Sequence, residues 1–276
     1  MFCFRSFFPN AVVQDEARGG NSVSTPSIPE RSGAFGPMSD DSLVREALQK
    51  GLLEPDDLRY VAEMTPERFR RLYTVAARRT RHVTVVLEAV DDGHNQAAVL
   101  RSADAFGVQD VHVLVGKAPF RPSEGVARGS ERWLTIHRHP SPEAAFSALR
   151  AAGYVIAASA LDPTAVPLEA LDFARPTAFV FGNEKDGLSE AARALADVRF
   201  IVPMVGFVES LNVSVAAAIT LYTATQKARA LVGERFFLGR DERRALLGRW
   251  LRQANDRTRR LAALEKESAE AGGDGG

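Results

Sequence analysis

The run HVTVVLEAVDDGHNQAAVLRSADAFGVQDVHVLVG, residues 82–116, carries a strand, a helix and a second strand in one reading. It opens with the nearly all-apolar segment 82–90, crosses a polar turn, shows helical spacing over 95–106, and becomes apolar again at 111–116. A strand apolar at successive positions has both faces covered, and strands alternating with helices pair in parallel. The alternation continues downstream. Segments 154–159, 177–182 and 199–204 read as strands, 141–152 and 188–196 as helices, and a long helix runs from Ser210 to about Leu231. The expected fold class is α/β with a parallel sheet.

Around this centre the chain divides into four parts. Residues 1–38 are rich in Gly, Ser, Pro and Asn without periodicity, and read as a disordered leader. Residues 39–81 form an N-terminal helical extension. Leu43, Val44, Ala47 and Leu48 fall at helical spacing before Gly51, and Thr65-Pro66-Glu67 is a helix start with cap and N1 proline in order. Met38 and Met64 stand beside Met1 as alternative starts. The α/β domain spans 82–232, and 233–276 hold a basic helix over 240–266 with a flexible tail.

Composition narrows the function classes. Of 276 residues, 45% are hydrophobic and 25% charged, enough to bury a real core. No run approaches the ~18 apolar residues of a membrane span, and MFCFRSFFPN is too short for a secretory signal. Cys3 is the single cysteine, which excludes an internal disulfide and a cysteine zinc site and fits a cytoplasmic location. The five histidines suggest no metal site: His137 and His139, two apart, share one face if they lie in a strand, where structural or exposed roles are expected.

The zero net charge is a sum of unlike parts. Residues 1–63 hold six basic and ten acidic groups, 64–82 hold six arginines against Glu67, and 227–266 hold twelve basic and five acidic groups. Two basic segments around a near-neutral middle suit an RNA-binding enzyme, and equally suit two solvated helix faces.

Ligands of an α/β sheet bind beyond the carboxyl ends of its strands, and three segments there are unusual. Asp91-Asp92-Gly93-His94-Asn95 precedes helix 95–106, which carries Asn95, Arg101 and Asp104. Asn95 suits a helix cap, and Arg101 lies ~600° round from it on an ideal helix. Gly182-Asn183-Glu184-Lys185-Asp186-Gly187 follows an apolar strand; it is neither a dinucleotide fingerprint nor a phosphate loop. Residues 202–216 run from a strand end through Pro203 and Met204 into Ser210-Leu211-Asn212, with Ser210 a candidate N-cap and small residues opening the helix.

In order and spacing, these segments resemble the TrmH (SpoU) branch of the SPOUT RNA methyltransferases. Asn95, Arg101, Asp104 and Gly107 match the first motif; Gly182, Glu184 and Gly187 match the second; Pro203 to Ala216 match the third. Gly129-Ser130-Glu131-Arg132-Trp133 is similar to a further family segment, and the likeness covers roughly 64–232. It implies a C-terminal deep trefoil knot within the parallel sheet, and a homodimer with its active site at the subunit interface. The implied cofactor is S-adenosyl-L-methionine, held by Ser159, Leu161, Gly182, Val202, Met204 and Leu211.

The implied reaction is methylation of a ribose 2′-hydroxyl, with tRNA as partner and guanosine 18 of the D-loop as target. Arg101 corresponds to the family's reactive arginine. A guanidinium holds its protons too firmly to act as a literal base, so a role orienting phosphate and hydroxyl suits it better. Asn95, Glu184, Ser210 and Asn212 complete the implied catalytic set. Arg78, Arg79, Arg121, Arg128, Arg243 and Arg244 are candidates for RNA phosphate contacts. Ribosomal RNA or the tRNA wobble ribose remain alternative substrates. A non-catalytic knotted RNA-binding protein is the alternative class, one expected to lack Arg101 or the Ser-Leu-Asn run.

Overall fold

A computed structural model describes residues 40–114, 120–183 and 185–272; the expected leader at 1–38 and Glu184 lie outside the described residues. Helices are α1 (Asp40–Gln49), α2 (Leu58–Ala62), α3 (Pro66–Ala76), α4 (Gly93–Ala105), α5 (Glu124–Ala127), α6 (Pro142–Ala151), α7 (Glu190–Leu195), α8 (Val213–Val232) and α9 (Arg240–Gly272). Strands are β1 (Val83–Glu88), β2 (Asp110–Leu114), β3 (Thr135–His139), β4 (Val155–Ser159), β5 (Val166–Pro167), β6 (Thr177–Phe181) and β7 (Val198–Ile201). Among the described residues the seven strands pair in parallel, in the order β3-β2-β1-β6-β4-β7-β5.

Strand side chains alternate between faces, so an apolar run supplies both. On one face Val85, Leu87, Phe179, Phe181 and Phe200 meet Val99, Leu100 and Ala103 of α4, with Ala217, Leu221 and Ala224 of α8. On the other, Val86, Ala178, Val180 and Ile156 meet Phe146 and Leu149 of α6 and Ala192 of α7. A third cluster joins the two extensions: Leu43, Ala47, Phe69 and Leu72 of α1 and α3 pack with Leu246, Leu247, Trp250 and Leu251 of α9. The basic C-terminal helix is therefore also a core element.

The expected start of α3 is present: Thr65 Oγ1 accepts a hydrogen bond from the Arg68 amide at 3.3 Å, with Pro66 at N1. Two caps differ from expectation. Asp92, not Asn95, caps α4, accepting from the His94 and Asn95 amides at 2.6 and 3.1 Å. Asn212, not Ser210, caps α8, accepting from the Ser214 amide at 2.8 Å. Strands β3 and β5 and helix α5 were not foreseen. β3 is a polar, half-exposed edge strand and β5 has only two residues, so neither shows an apolar run. Among the described residues no helix is long and apolar enough to cross a membrane.

Candidate active site

The carboxyl ends of β4, β6 and β7 open onto a cavity of about 560 Å³. Ser159 ends β4 and Leu161 follows it, Gly182 follows β6, Val202 and Met204 follow β7, and Leu211 precedes α8; all six line the cavity. Ser210 and Asn212 line it too. So do the charged side chains of Asp162, Lys185, Asp186 and Arg193, which the sequence reading missed. Asp162 is held below the usual carboxylate range, chiefly by the Thr164 hydroxyl and then by its amide.

The turn after β6 is drawn shut by paired hydrogen bonds between Asn183 and Gly187, at 3.0 and 2.9 Å. A Cβ on Gly182 would lie 2.3 Å from the Gly187 carbonyl carbon, and Gly187 has φ +69°. Both glycines are thus required by geometry: one by close backbone approach, the other by a left-handed backbone. Asn183 Nδ2 ties the turn to β1 by donating to the Ala89 carbonyl at 2.8 Å.

The first and third motifs meet through their asparagines, Asn212 Nδ2 donating to Asn95 Oδ1 at 3.1 Å. Asn212 thereby serves the helix end with its oxygen and Asn95 with its nitrogen. Arg101 stands elsewhere. It is exposed and lines a second cavity of about 370 Å³ together with Arg71, Arg128, Asp104 and Trp133. The subunit therefore does not bring Arg101 to the cavity that Ser210 and Asn212 line, in keeping with the wide angle between Asn95 and Arg101 on their helix.

The basic candidates separate by environment. Arg78, Arg121 and Arg128 are exposed. Arg243 and Arg244 are half-buried, and Arg244 lies 3.7 Å from Glu54 and 3.8 Å from Asp241. Arg79 is a correction. Only 1% of it is exposed, its guanidinium is ion-paired to Asp104, and it sits 5.2 Å from the ring of Trp250. It also donates to the Val108 carbonyl at 3.2 Å. A group so enclosed is not open to an RNA phosphate. Asp104 of the first motif is its partner.

The histidines at 112, 137 and 139 come together across β2 and β3, a clustering that sequence separation concealed. His112 stacks on His137 at 4.6 Å and on His139 at 5.2 Å, with His112 Nδ1 2.9 Å from His139 Nε2. Burial and then the neighbouring imidazoles push His112 down to about 4. Burial favours a neutral Asp110, but hydrogen bonding from His137 and the Arg81 guanidinium outweigh it, leaving its carboxyl below the ordinary range. Among the described residues no group of three or more His, Cys, Asp or Glu side chains is arranged to hold a metal ion.

Residues 82–222 match the SpoU rRNA methylase family. The chain is 38% identical over 187 residues to the tRNA (guanosine(18)-2′-O)-methyltransferase of Escherichia coli, covering 67% of this chain and 82% of the relative. It is 40% identical over 195 residues to the enzyme of the same name from Thermus thermophilus, covering 69% and 99%. The crystal structure of the A. aeolicus TrmH/SpoU tRNA modifying enzyme superposes with a TM-score of 0.62 at 32% identity, over 68% of this chain and 96% of that one. With the family match spanning half of the chain and the Thermus relative aligned over nearly its whole length, this protein belongs to the SpoU methylase family.

Proposed function

We propose that this protein transfers the methyl group of S-adenosyl-L-methionine to the 2′-hydroxyl of guanosine 18 in tRNA. The observation that carries the reading is the convergence of Ser159, Leu161, Gly182, Val202, Met204 and Leu211 on one cavity that Ser210 and Asn212 also line. Its size falls in the range of small-molecule sites, about 300–1,000 Å³. Its walls suit the donor: Leu161, Val202, Met204 and Leu211 offer an apolar surface to an adenine, while Asp162 and Arg193 offer opposite charges to an amino-acid end. When bound, the donor supplies a methyl on a positively charged sulfur, an excellent leaving group.

The chain's own part is to bind, align and exclude water, which can supply most of the acceleration of a bimolecular transfer. Asn212 and Asn95, joined by their hydrogen bond, fix the polar lip of the cavity. Arg101 carries a bidentate donor pair suited to a phosphate and the adjoining hydroxyl. The proposal places Glu184 beside them on the family motif alone.

The working unit we propose is a homodimer. Two features support it: Arg101 and the donor cavity lie apart within one subunit, and α8 leaves Val215, Ile219 and Tyr222 38–55% exposed at helical spacing along one face. The trefoil knot of the family belongs to the same proposal. The cytoplasm, where tRNA resides, is its proposed compartment.

The test is transfer of labelled methyl from S-adenosylmethionine to an unmodified tRNA transcript, mapped by resistance of the modified linkage to alkali. One resistant linkage at guanosine 18 is the expected result. Label on ribosomal RNA or the wobble ribose would keep the reaction and overturn the substrate. No transfer to any RNA would overturn the enzyme.

A further inference from the structure

The cavity that contains Arg101 has features that the methyl-transfer reading does not use. Five arginines line it against one carboxylate, Asp104, which is already paired with the buried Arg79. Among the described residues the guanidinium groups of Arg71, Arg101 and Arg128 make no hydrogen bond and no ion pair, and all three residues are exposed. Three uncompensated guanidinium groups around one opening repel one another, so the arrangement favours an anion. The buried Nε of Arg79 also lacks a hydrogen-bond partner there.

The remaining wall is aromatic. Trp133 and Trp250 meet edge to face at 5.6 Å, and the Trp250 indole N–H donates to the Trp133 carbonyl at 3.2 Å, which pins the pair. Trp250 is 1% exposed, while Trp133 is only partly buried and lines the cavity, where it can meet a flat group. Arg128 has φ +49° and is followed by Gly129 at φ +79°, two consecutive left-handed residues that an arginine adopts only under constraint. Their position sets the Arg128 side chain at the cavity rather than along a helix.

We infer that this cavity, built jointly by α3, α4, the segment around Arg128 and α9, is a subsite for one nucleotide of the RNA substrate. Arg71, Arg101 and Arg128 hold its phosphodiester, and Trp133 stacks on its base. This deepens the reading of Arg101 above and rests on it: the phosphate at Arg101 adjoins the reacting ribose, so the nucleotide held here flanks the methylated one. Stacking tolerates any base, so the subsite contributes affinity and register rather than base choice. The C-terminal extension, through Trp250, then acts in RNA placement as part of a cavity wall.

Trp133 and Trp250 are the only two tryptophans of the chain, so intrinsic fluorescence reports on this cavity. Titrating the full-length protein with unmodified tRNA transcript is expected to quench the emission in step with binding, and Trp133→Phe is expected to remove most of the change. Arg71→Gln and Arg128→Gln are each expected to raise KM for tRNA about tenfold. Each should also make log KM less steep in log salt by about 1, with donor affinity and far-UV circular dichroism unchanged. Methyl transfer at saturating tRNA with no fluorescence change, or a folded double variant with unaltered KM and salt slope, would overturn the subsite while leaving the enzyme reading intact. Quenching without transfer to any RNA would keep the subsite and overturn the reaction.

Discussion

At the scale of single residues, two arginines that line the same cavity do opposite work. The Arg101 guanidinium lines an exposed cavity unpaired, while Arg79 is buried and held by Asp104, two carbonyls and the Trp250 ring, with only its Nε lacking a partner. Arg101→Ala is predicted to cut kcat by about a thousandfold, the scale seen for losing one transition-state donor. Isothermal titration with the methyl donor should meanwhile give an unchanged Kd, and a variant methylating at near the parental rate would refute the assignment. Arg79→Met is predicted to act on stability instead. Losing a buried guanidinium that pairs with a carboxylate destabilises by about 3 kcal/mol, read as a lower midpoint in urea. An unaltered midpoint would show that the buried pair contributes nothing.

Among the elements, the β2–β3 edge and α9 depart furthest from a simple reading. Neighbouring parallel strands place His112 opposite His137, with His139 one pleat further along and Asp110 and Arg81 beside them. His112 is neutral in the fold: its pKa drops from 6.5 to about 4, mainly through burial and secondly through His137 and His139. The unfolded chain therefore binds the extra proton between those values. The associated stability is fully present above pH 6.5 and is lost as pH falls toward 4, a contribution of about 3 kcal/mol. His112→Phe is predicted to flatten the urea midpoint over that window; a variant retaining the full acid loss would assign it to other groups. Helix α9 combines a basic composition with Leu246, Leu247, Trp250 and Leu251 buried against α1 and α3. Charge in the sequence and packing in the structure thus describe different faces of one helix.

For the whole molecule, the separation of Arg101 from the donor cavity makes assembly a condition of the proposed activity. Ile219 lies on the outer face of α8, 38% exposed, so Ile219→Asp is predicted to spare the fold and leave only monomers in sedimentation equilibrium, where the proposed dimer is expected of the parent. Methylation should fall at least about a hundredfold with it, since alignment across the interface is lost. A monomer of undiminished activity would refute the shared site. How far all this was legible follows from the physics of each signal. The apolar runs at 82–90, 154–159 and 177–182 had to be buried on both faces, which committed them to a central parallel sheet. Gly182, Gly187 and the Ser-Leu-Asn run marked the ligand end because tight turns and helix starts need particular residue types. What remained closed depended on distances between residues remote in the chain. The Asn95–Asn212 bond, the enclosure of Arg79 by Asp104 and Trp250, and the stacking of three histidines all arise when separate elements pack together. A local pattern states what a residue prefers, and only packing fixes which distant partner it meets.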